Sequence, residues 1–303
     1  MKNILFTLAL LISFNSFGQT AKEYFDNGIE KITNEDYYGA IADFTKAIEI
    51  DPNYAHAYTL RGDSKEDLKD YYGAIADYTK AIEISPSYSY AYASRGNTKF
   101  YLENHNGAIA DFTKAIEISP SYSYAYNRRG VSKDYLEDYY GAIADFTKAI
   151  EIDPDYDYAY VNRADTKRQL EDYYGAIADY TKAIEIDPND AYSYVFRGVS
   201  KDYLEDDNGA MADFTKAIEI DPDYDYAYAR RGDVNLYSKK DYYAAIADYT
   251  KAIEIDPNYD YAYAFRGVAK EELGDLNGAC ADWKEAAKLG YDEAVKWVSD
   301  QCN

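Results

Sequence analysis

The chain has 303 residues, of which 55 are acidic and 32 basic, for a formal net charge of -23. Such a charge repels phosphate backbones and anionic lipid surfaces, and so argues against nucleic acid as a partner and against a membrane-surface role. Tyrosine is over-used, with 38 Tyr against 11 Phe and 2 Trp, and its flat apolar face with a hydroxyl suits half-wet surfaces better than dry cores.

In chain order, the N-terminus reads as an export signal. Met1-Lys2 gives a positive start, and Ile4–Phe14 is an apolar run too short for a stable membrane anchor. Ser16 and Gly18 supply small residues at its end, which predicts a signal peptide over 1–18 with cleavage near Gly18. The expected location is then periplasmic or secreted. A buried first helix is the alternative. No cysteine lies there for lipid attachment, and no later stretch is apolar enough to insert directly into a membrane.

From residue 21 onward a 34-residue period governs the sequence. Prolines stand at Pro52, Pro86, Pro120, Pro154, Pro188 and Pro222, and Pro257 follows after 35 residues. The segments before them repeat one motif, as in Gly39–Ile50, Gly73–Ile84 and Gly141–Ile152. A fixed period of this length denotes a stacked array of one supersecondary unit rather than a closed core.

Within the repeat 55–88, with Ala55 as position 1, Asn53 after the proline is the expected cap of a first helix running to about Leu68. Ser87, Ser121, Asp155, Asn189, Asp223 and Asn258 take that place elsewhere. Asp70 is the expected cap of a second helix ending before Pro86, with Asp36, Asn104, Asp138, Asp172, Asp206, Asp241 and Asp275 as its equivalents. Ala74, Ile75, Tyr78, Ala81 and Ile82 form one apolar stripe on that helix. Gly62 is expected to face Ala74 and let the helices approach. One pair of helices cannot bury its own stripe, so neighbours must stack.

The aromatic at position 4 (Tyr58, Tyr92, Tyr126), Gly at 8, Ala at 20, an aromatic at 24, Ala at 27 and Pro at 32 resemble the tetratricopeptide repeat. The resemblance implies an all-α fold: a right-handed superhelical solenoid of tandem helix-turn-helix repeats with a C-terminal capping helix. It divides the chain into eight repeats, 21–54, 55–88, 89–122, 123–156, 157–190, 191–224, 225–259 and 260–290, followed by a capping helix and tail over 291–303. Two departures stand out: Arg replaces the apolar residue expected at position 7, and Lys the aromatic expected at 11.

At about 100° per residue, positions 4, 7, 8, 11 and 14 of the first helix share one side and positions 2, 5, 6, 9, 12 and 13 the other. The first side is constant. Arg61, Arg95, Arg129, Arg163, Arg197, Arg231 and Arg266 sit on it, with Lys65, Lys99, Lys133, Lys167 and Lys201 one turn on. Buried charge needs partners, and the candidates are Asp77, Asp111, Asp145, Asp179, Asp213, Asp248 and Asp282. This reads as a structural ion ladder. The second side varies: position 6 runs Leu60, Ser94, Arg128, Asn162, Phe196, Arg230, Phe265, and position 9 runs Asp63, Asn97, Val131, Asp165, Val199, Asp233, Val268. Packing alone is not expected to require such variety.

By the resemblance, the second side lines a concave groove that binds a protein or peptide. Its floor carries Tyr90, Tyr124, Tyr158, Tyr192, Tyr226 and Tyr261 at position 2, with His56 in the second repeat, and Tyr101, Tyr135, Tyr203 and Tyr237 at position 13. The candidate contact residues are Tyr90, Tyr124, Arg128, Tyr158, Asp165, Tyr192, Phe196, Tyr226, Arg230, Asp233, Tyr261 and Phe265. Tyrosines between acids favour a basic partner through ring faces and charge. Two alternatives stay open: a glycan or cell-wall ligand on the same rings, or tyrosines that only shield neighbouring helices.

Nothing in the sequence assembles catalysis, a cofactor site or a metal site. His56 and His105 are the only histidines, and there is no HExxH, CxxC, phosphate loop or GxSxG elbow. Asp153–Asp157 imitates a calcium loop but places Tyr158 where Gly is needed and Ala164 where Glu is needed. The expected protein is therefore non-catalytic. Cys280 and Cys302 flank the turn near Gly290 by ten and twelve residues. At about 1.5 Å per residue they reach nearly the same height on two antiparallel helices, which favours a disulfide over two free thiols in an oxidising compartment.

Overall fold

The computed structural model describes residues 19–302, so the expected export signal lies outside the described residues. Seventeen α-helices and one π-helical segment, with no strand among the described residues, follow one another in pairs. In the second repeat, helices Ala55–Asp67 and Tyr71–Ile84 are joined by Leu68, Lys69 and Asp70. So short a linker turns the second helix back along the first. Lys69 adopts the left-handed conformation (φ 62°), and the Asp70 N–H donates to the Lys65 carbonyl at 2.8 Å, closing the first helix. The Asp70 carboxylate then accepts from the Gly73 N–H at 3.0 Å and starts the second. Asp36, Asn104, Asp172, Asp206, Asp241 and Asp275 act in the same way.

The first helices start differently from expectation. The residue after proline does not cap them. Tyr54, Tyr88, Tyr122, Tyr156, Tyr224 and Tyr259 occupy the N-cap without a side-chain cap bond. Only Asp190 caps with its carboxylate, accepting from the N–H groups of Tyr192 and Ser193. The aspartate before the proline does the local work. The Asn53 N–H donates to Asp51 Oδ1 at 3.0 Å, and Asp153, Asp187, Asp221 and Asp256 accept likewise. Proline's fixed φ makes Asp51–Tyr54 a turn, closed by the Tyr54 N–H on the Asp51 carbonyl at 3.1 Å. The helix begins only after it.

The core is built of small residues and one large ring per repeat. Ala74, Tyr78 and Ala81 are wholly buried, as are Ala40, Phe44 and Ala47, and Ala279, Trp283 and Ala286. Gly62 faces Tyr78, where a Cβ would lie 2.6 Å from the ring, and the equivalent Gly96 and Gly267 would also bring a Cβ to within 3.3 and 3.2 Å of the Ala108 and Ala279 carbonyls, the places of Ala74. Gly28 meets Phe44 and Gly198 meets Phe214 in the same way. The absent side chain therefore makes room for the ring, whose burial is worth about 1.5–3 kcal/mol.

The charged ladder is part of this packing. Arg61 Nε and Nη2 donate to the two Asp77 oxygens at 2.9 and 2.6 Å, and Lys65 Nζ donates to Asp77 at 2.7 Å. Arg61 Nη1 reaches Thr45 of the preceding repeat at 3.1 Å, and the guanidinium lies 5.3 Å from the Tyr58 ring centroid. The same constellation recurs at Arg95, Arg163, Arg197 and Arg266. In the 225–259 repeat Asn235 replaces the lysine and donates to Asp248 at 3.0 Å. A carboxylate held by a bidentate Arg and a second cation satisfies the requirement for burying charge.

The 35-residue repeat carries its extra residue in a π-helical segment, Val234–Lys239. The Asp241 N–H consequently reaches back to the Asn235 carbonyl, one residue further than Asp70 to Lys65. The described residues divide into two compact units that part between Asp138 and Tyr139. At the end of the second, helices Leu276–Leu289 and Asp292–Gln301 turn at Gly290 (φ 116°), and a disulfide joins Cys280 to Cys302.

Candidate functional site

The varied side of the first helices carries two kinds of position. Position 9 belongs to the core as much as to the surface. In the second repeat the buried Tyr78 hydroxyl donates to Asp63 Oδ1 at 2.7 Å, and Tyr90 of the next repeat donates to Asp63 Oδ2 at 3.1 Å. Asp165 accepts from Tyr180 at 2.6 Å and Tyr192 at 3.0 Å. Asp233 accepts from Tyr249 at 2.7 Å and from Tyr261 at 3.0 and 3.1 Å. Aspartate occurs at position 9 only where the buried ring is tyrosine. Where the ring is Phe112, Phe146, Phe214 or Trp283, the residue is Asn97, Val131, Val199 or Val268. The variety at position 9 thus has a packing cause, contrary to expectation. Burial pushes the Asp63 carboxyl up to about 6, with the two tyrosine hydrogen bonds opposing. Burial pushes Asp233 to about 6 as well, against the pull of Arg230. Tyr78 and Tyr249 are held far above the usual phenol range by burial and by these carboxylates.

Position 6 is different, because it decides what fills the face. In the N-terminal unit a cavity of about 420 Å³ opens over Ala93 and Ser94, walled by Tyr90, Tyr122 and Tyr124 and edged by Asp63, Glu66, Asp67 and Asn97. Asn97 Nδ2 donates to Glu66 Oε1 at 2.8 Å, and Thr98 donates to the other Glu66 oxygen. Arg128 Nη2 donates to Asn97 Oδ1 at 2.6 Å, and its guanidinium stands 4.8 Å from the Phe100 ring. Tyr124 also reaches Asn97 Oδ1, at 3.4 Å.

In the C-terminal unit the equivalent face is filled by rings and arginines. Phe196 lies between Tyr192 and Tyr226, with centroid separations of 4.3 and 5.8 Å, and Arg168 covers it at 4.9 Å. Arg230 is held by Asp233 at 2.7 Å and Asp202 at 3.1 Å. Phe265 packs between Tyr261 and Tyr291. Tyr158 is the most open of the position 2 rings, 67% exposed against 37% for Tyr124 and Tyr192. At position 13, Tyr101, Tyr135 and Tyr203 stack on Tyr71, His105 and Tyr173 of the preceding repeats, which draws them into packing.

Sequence reasoning missed Glu66, Asp67 and Ser94. The signal for Ser94 was available, since it is the smallest residue at that position in the eight repeats. The signal for Asp63 was its pairing with Tyr78. Glu66 and Asp67 are positions 12 and 13, so periodicity already places them on the varied side, but that they edge a cavity is seen only when the stacking of two repeats is known.

Comparison with known proteins identifies the repeat. Tetratricopeptide repeat profiles match residues 24–54, 55–88, 89–122, 191–224 and 226–259, and a second such profile matches 123–156 and 158–190. No curated protein matches the chain. Among solved structures, YrrB is 26% identical, with a TM-score of 0.53, over 65% of this chain and 97% of its own. MamA is 26% identical, with a TM-score of 0.51, over 57% and 93%. A repeat protein from Cytophaga hutchinsonii, 18% identical with a TM-score of 0.66 over 78% and 97%, shares the fold. The chain belongs to the tetratricopeptide repeat family.

Proposed function

We propose that the protein is an exported, non-catalytic scaffold that binds a protein or peptide, with basic character, along the varied face of its first helices. The observation that carries this reading is the cavity at Ser94, which arises at those positions and is edged by three carboxylates. Scaffolding is the usual work of the family, and YrrB is described as having an unusual peptide-binding site. Export is supported by the Met1–Gly18 pattern and by the Cys280–Cys302 bridge, of a kind common in oxidising compartments and rare in the cytosol. Glycan stacking has less support, because the Tyr192 and Tyr261 rings already pack against Phe196 and Phe265.

The test is binding of the full mature chain to arrayed peptides of equal length and graded charge. Retention should rise with peptide charge and fall with salt, and Asp67→Lys, at an exposed position, should weaken the basic peptides while leaving the fold intact. Equal retention of acidic and basic peptides would refute the electrostatic reading. Edman sequencing of protein recovered from an expressing cell's envelope fraction should begin at Gln19, and an intact Met1 terminus would refute export.

A further inference from the structure

We propose that the Ser94 cavity is a pocket for a single arginine side chain of the partner. The inference rests on the peptide-binding reading and assigns one subsite within it.

The cavity exists because position 6 is serine. The corresponding side chains Arg128, Phe196, Arg230 and Phe265 are large and packed against neighbouring groups. With Ser94 the Tyr90 and Tyr124 rings are left as walls around about 420 Å³, within the range of ligand sites and ample for one long side chain.

What the walls lack is a cation. Among the described residues no lysine or arginine is ion-paired with Asp63, Glu66 or Asp67. Asp63 and Glu66 accept only from neutral hydroxyl and amide donors. Arg128 turns to the Asn97 amide rather than to a carboxylate. Elsewhere in the same array a buried carboxylate beside a tyrosine face is answered by arginine: Arg61 on Asp77 over Tyr58, and Arg95 on Asp111 over Tyr92. The pocket repeats the carboxylate and the ring without the guanidinium. No set of carboxylates, His or Cys among the described residues converges tightly enough to hold a metal ion, so the complementary group is an organic cation. Flat tyrosine walls and several separated acceptors suit a planar, forked guanidinium better than a compact ammonium. Burial already disfavours the Asp63 anion, and a docked guanidinium would relieve that cost.

Ligand-observed NMR by saturation transfer, on the full mature chain, tests the assignment with N-acetyl-arginine amide, N-acetyl-lysine amide and N-acetyl-citrulline amide as probes. Arginine should show the strongest transfer and citrulline, which keeps the shape and loses the charge, none above background. Asp67→Asn should weaken arginine binding about fivefold, the effect of one partly exposed charge pair. Ser94→Phe should abolish it, and circular dichroism should show the fold retained, since Phe196 and Phe265 occupy that position elsewhere. Citrulline or lysine binding as well as arginine, or arginine binding unchanged in Ser94→Phe, overturns the pocket. If the array experiment still favours basic peptides in Ser94→Phe, only this subsite fails. If no peptide binds the wild type, the scaffold reading itself fails.

Discussion

The pairing of Asp63 with Tyr78 makes a double-mutant cycle in the second repeat decisive. Tyr78 is wholly buried, and its hydroxyl donates to Asp63 at 2.7 Å. Tyr78→Phe removes a hydrogen bond to a charged acceptor, worth about 1.5–3 kcal/mol, and leaves the Asp63 anion with Tyr90 alone. Asp63→Val acts in two directions. It relieves the burial strain that lifts this carboxyl from 3.8 to about 6, on the order of 2–3 kcal/mol at neutral pH and less after solvent screening. It also strands the Tyr78 hydroxyl, whose remaining acceptor is Glu66 at 3.4 Å, at a cost of about 1–3 kcal/mol. The double variant recreates the combination of Phe214 with Val199, which the sixth repeat buries completely. Tyr78→Phe should therefore cost about 2 kcal/mol, and the double variant should return to within about 1 kcal/mol of wild type, a coupling of roughly 1–2 kcal/mol. Urea unfolding followed by circular dichroism measures the total. Hydrogen exchange across 71–84 shows that the loss is local, which matters because repeat arrays need not unfold in one step. Strictly additive losses would refute the claim that the ring's hydroxyl dictates the residue at position 9.

Arg95→Ala should cost about 2–4 kcal/mol in thermal melting, because Asp111 is left buried with Lys99 alone, and Arg95→Lys should recover little since the bidentate grip is lost; wild-type melting of either would remove the ladder from the fold's energetics. Reducing the Cys280–Cys302 bridge, which spans 22 residues, should speed hydrogen exchange over 292–301 and cost about 3 kcal/mol locally, while the earlier repeats stay unchanged. Asp63 and Asp233 have folded-state pKa values raised from 3.8 to about 6, so the folded state holds their protons more tightly than the unfolded state between those values. Stability should accordingly increase as pH falls from about 7 towards 5 and decrease as pH rises through 6. The variant Asp63→Asn/Asp233→Asn should flatten that slope in melts taken at constant ionic strength, and an unchanged slope would assign it to the general acidity of the chain instead.

The legibility of this sequence follows from which interactions are local. The second helices read cleanly because cap, stripe and terminating proline all lie within one repeat, as at Asp70, Tyr78 and Pro86. The Arg61–Asp77 ladder was also legible, since burying a cation demands a partner and only one acidic position recurs at the right face. The first-helix starts were misread because Asn53 has capping chemistry, but the preceding proline and Asp51 capture it in a turn. That the space at Gly62 is taken by the Tyr78 ring was not foreseen, since periodicity gives a face and not which side chain fills it. The groove fared worst. Asp165 is taken up by Tyr180 of its own repeat, a pairing the sequence signals, and by Tyr192 of the next repeat, which nothing local in the sequence states.

Eight near-copies in one chain offer a control of their own. Each repeat shows what packing does with a given side chain in an almost fixed frame, so a residue that departs from its equivalents can be judged by whether the departure is repaired. Val199 is repaired by Phe214, Asn235 by its bond to Asp248, and the additional residue of 225–259 by the π-helical segment. Asp165 is repaired by Tyr180 and Tyr192 and by Arg168, whose Nη2 lies 3.8 Å from Oδ1. Ser94 is not: the space it vacates stays open between tyrosine rings, and the carboxylates around it find only neutral donors. An unrepaired departure gives up packing and leaves charge uncompensated, both of which lower stability. The physical reason to look for a ligand at Ser94 is that here the array's own rule of answering a carboxylate and a ring with arginine is left for another molecule to complete.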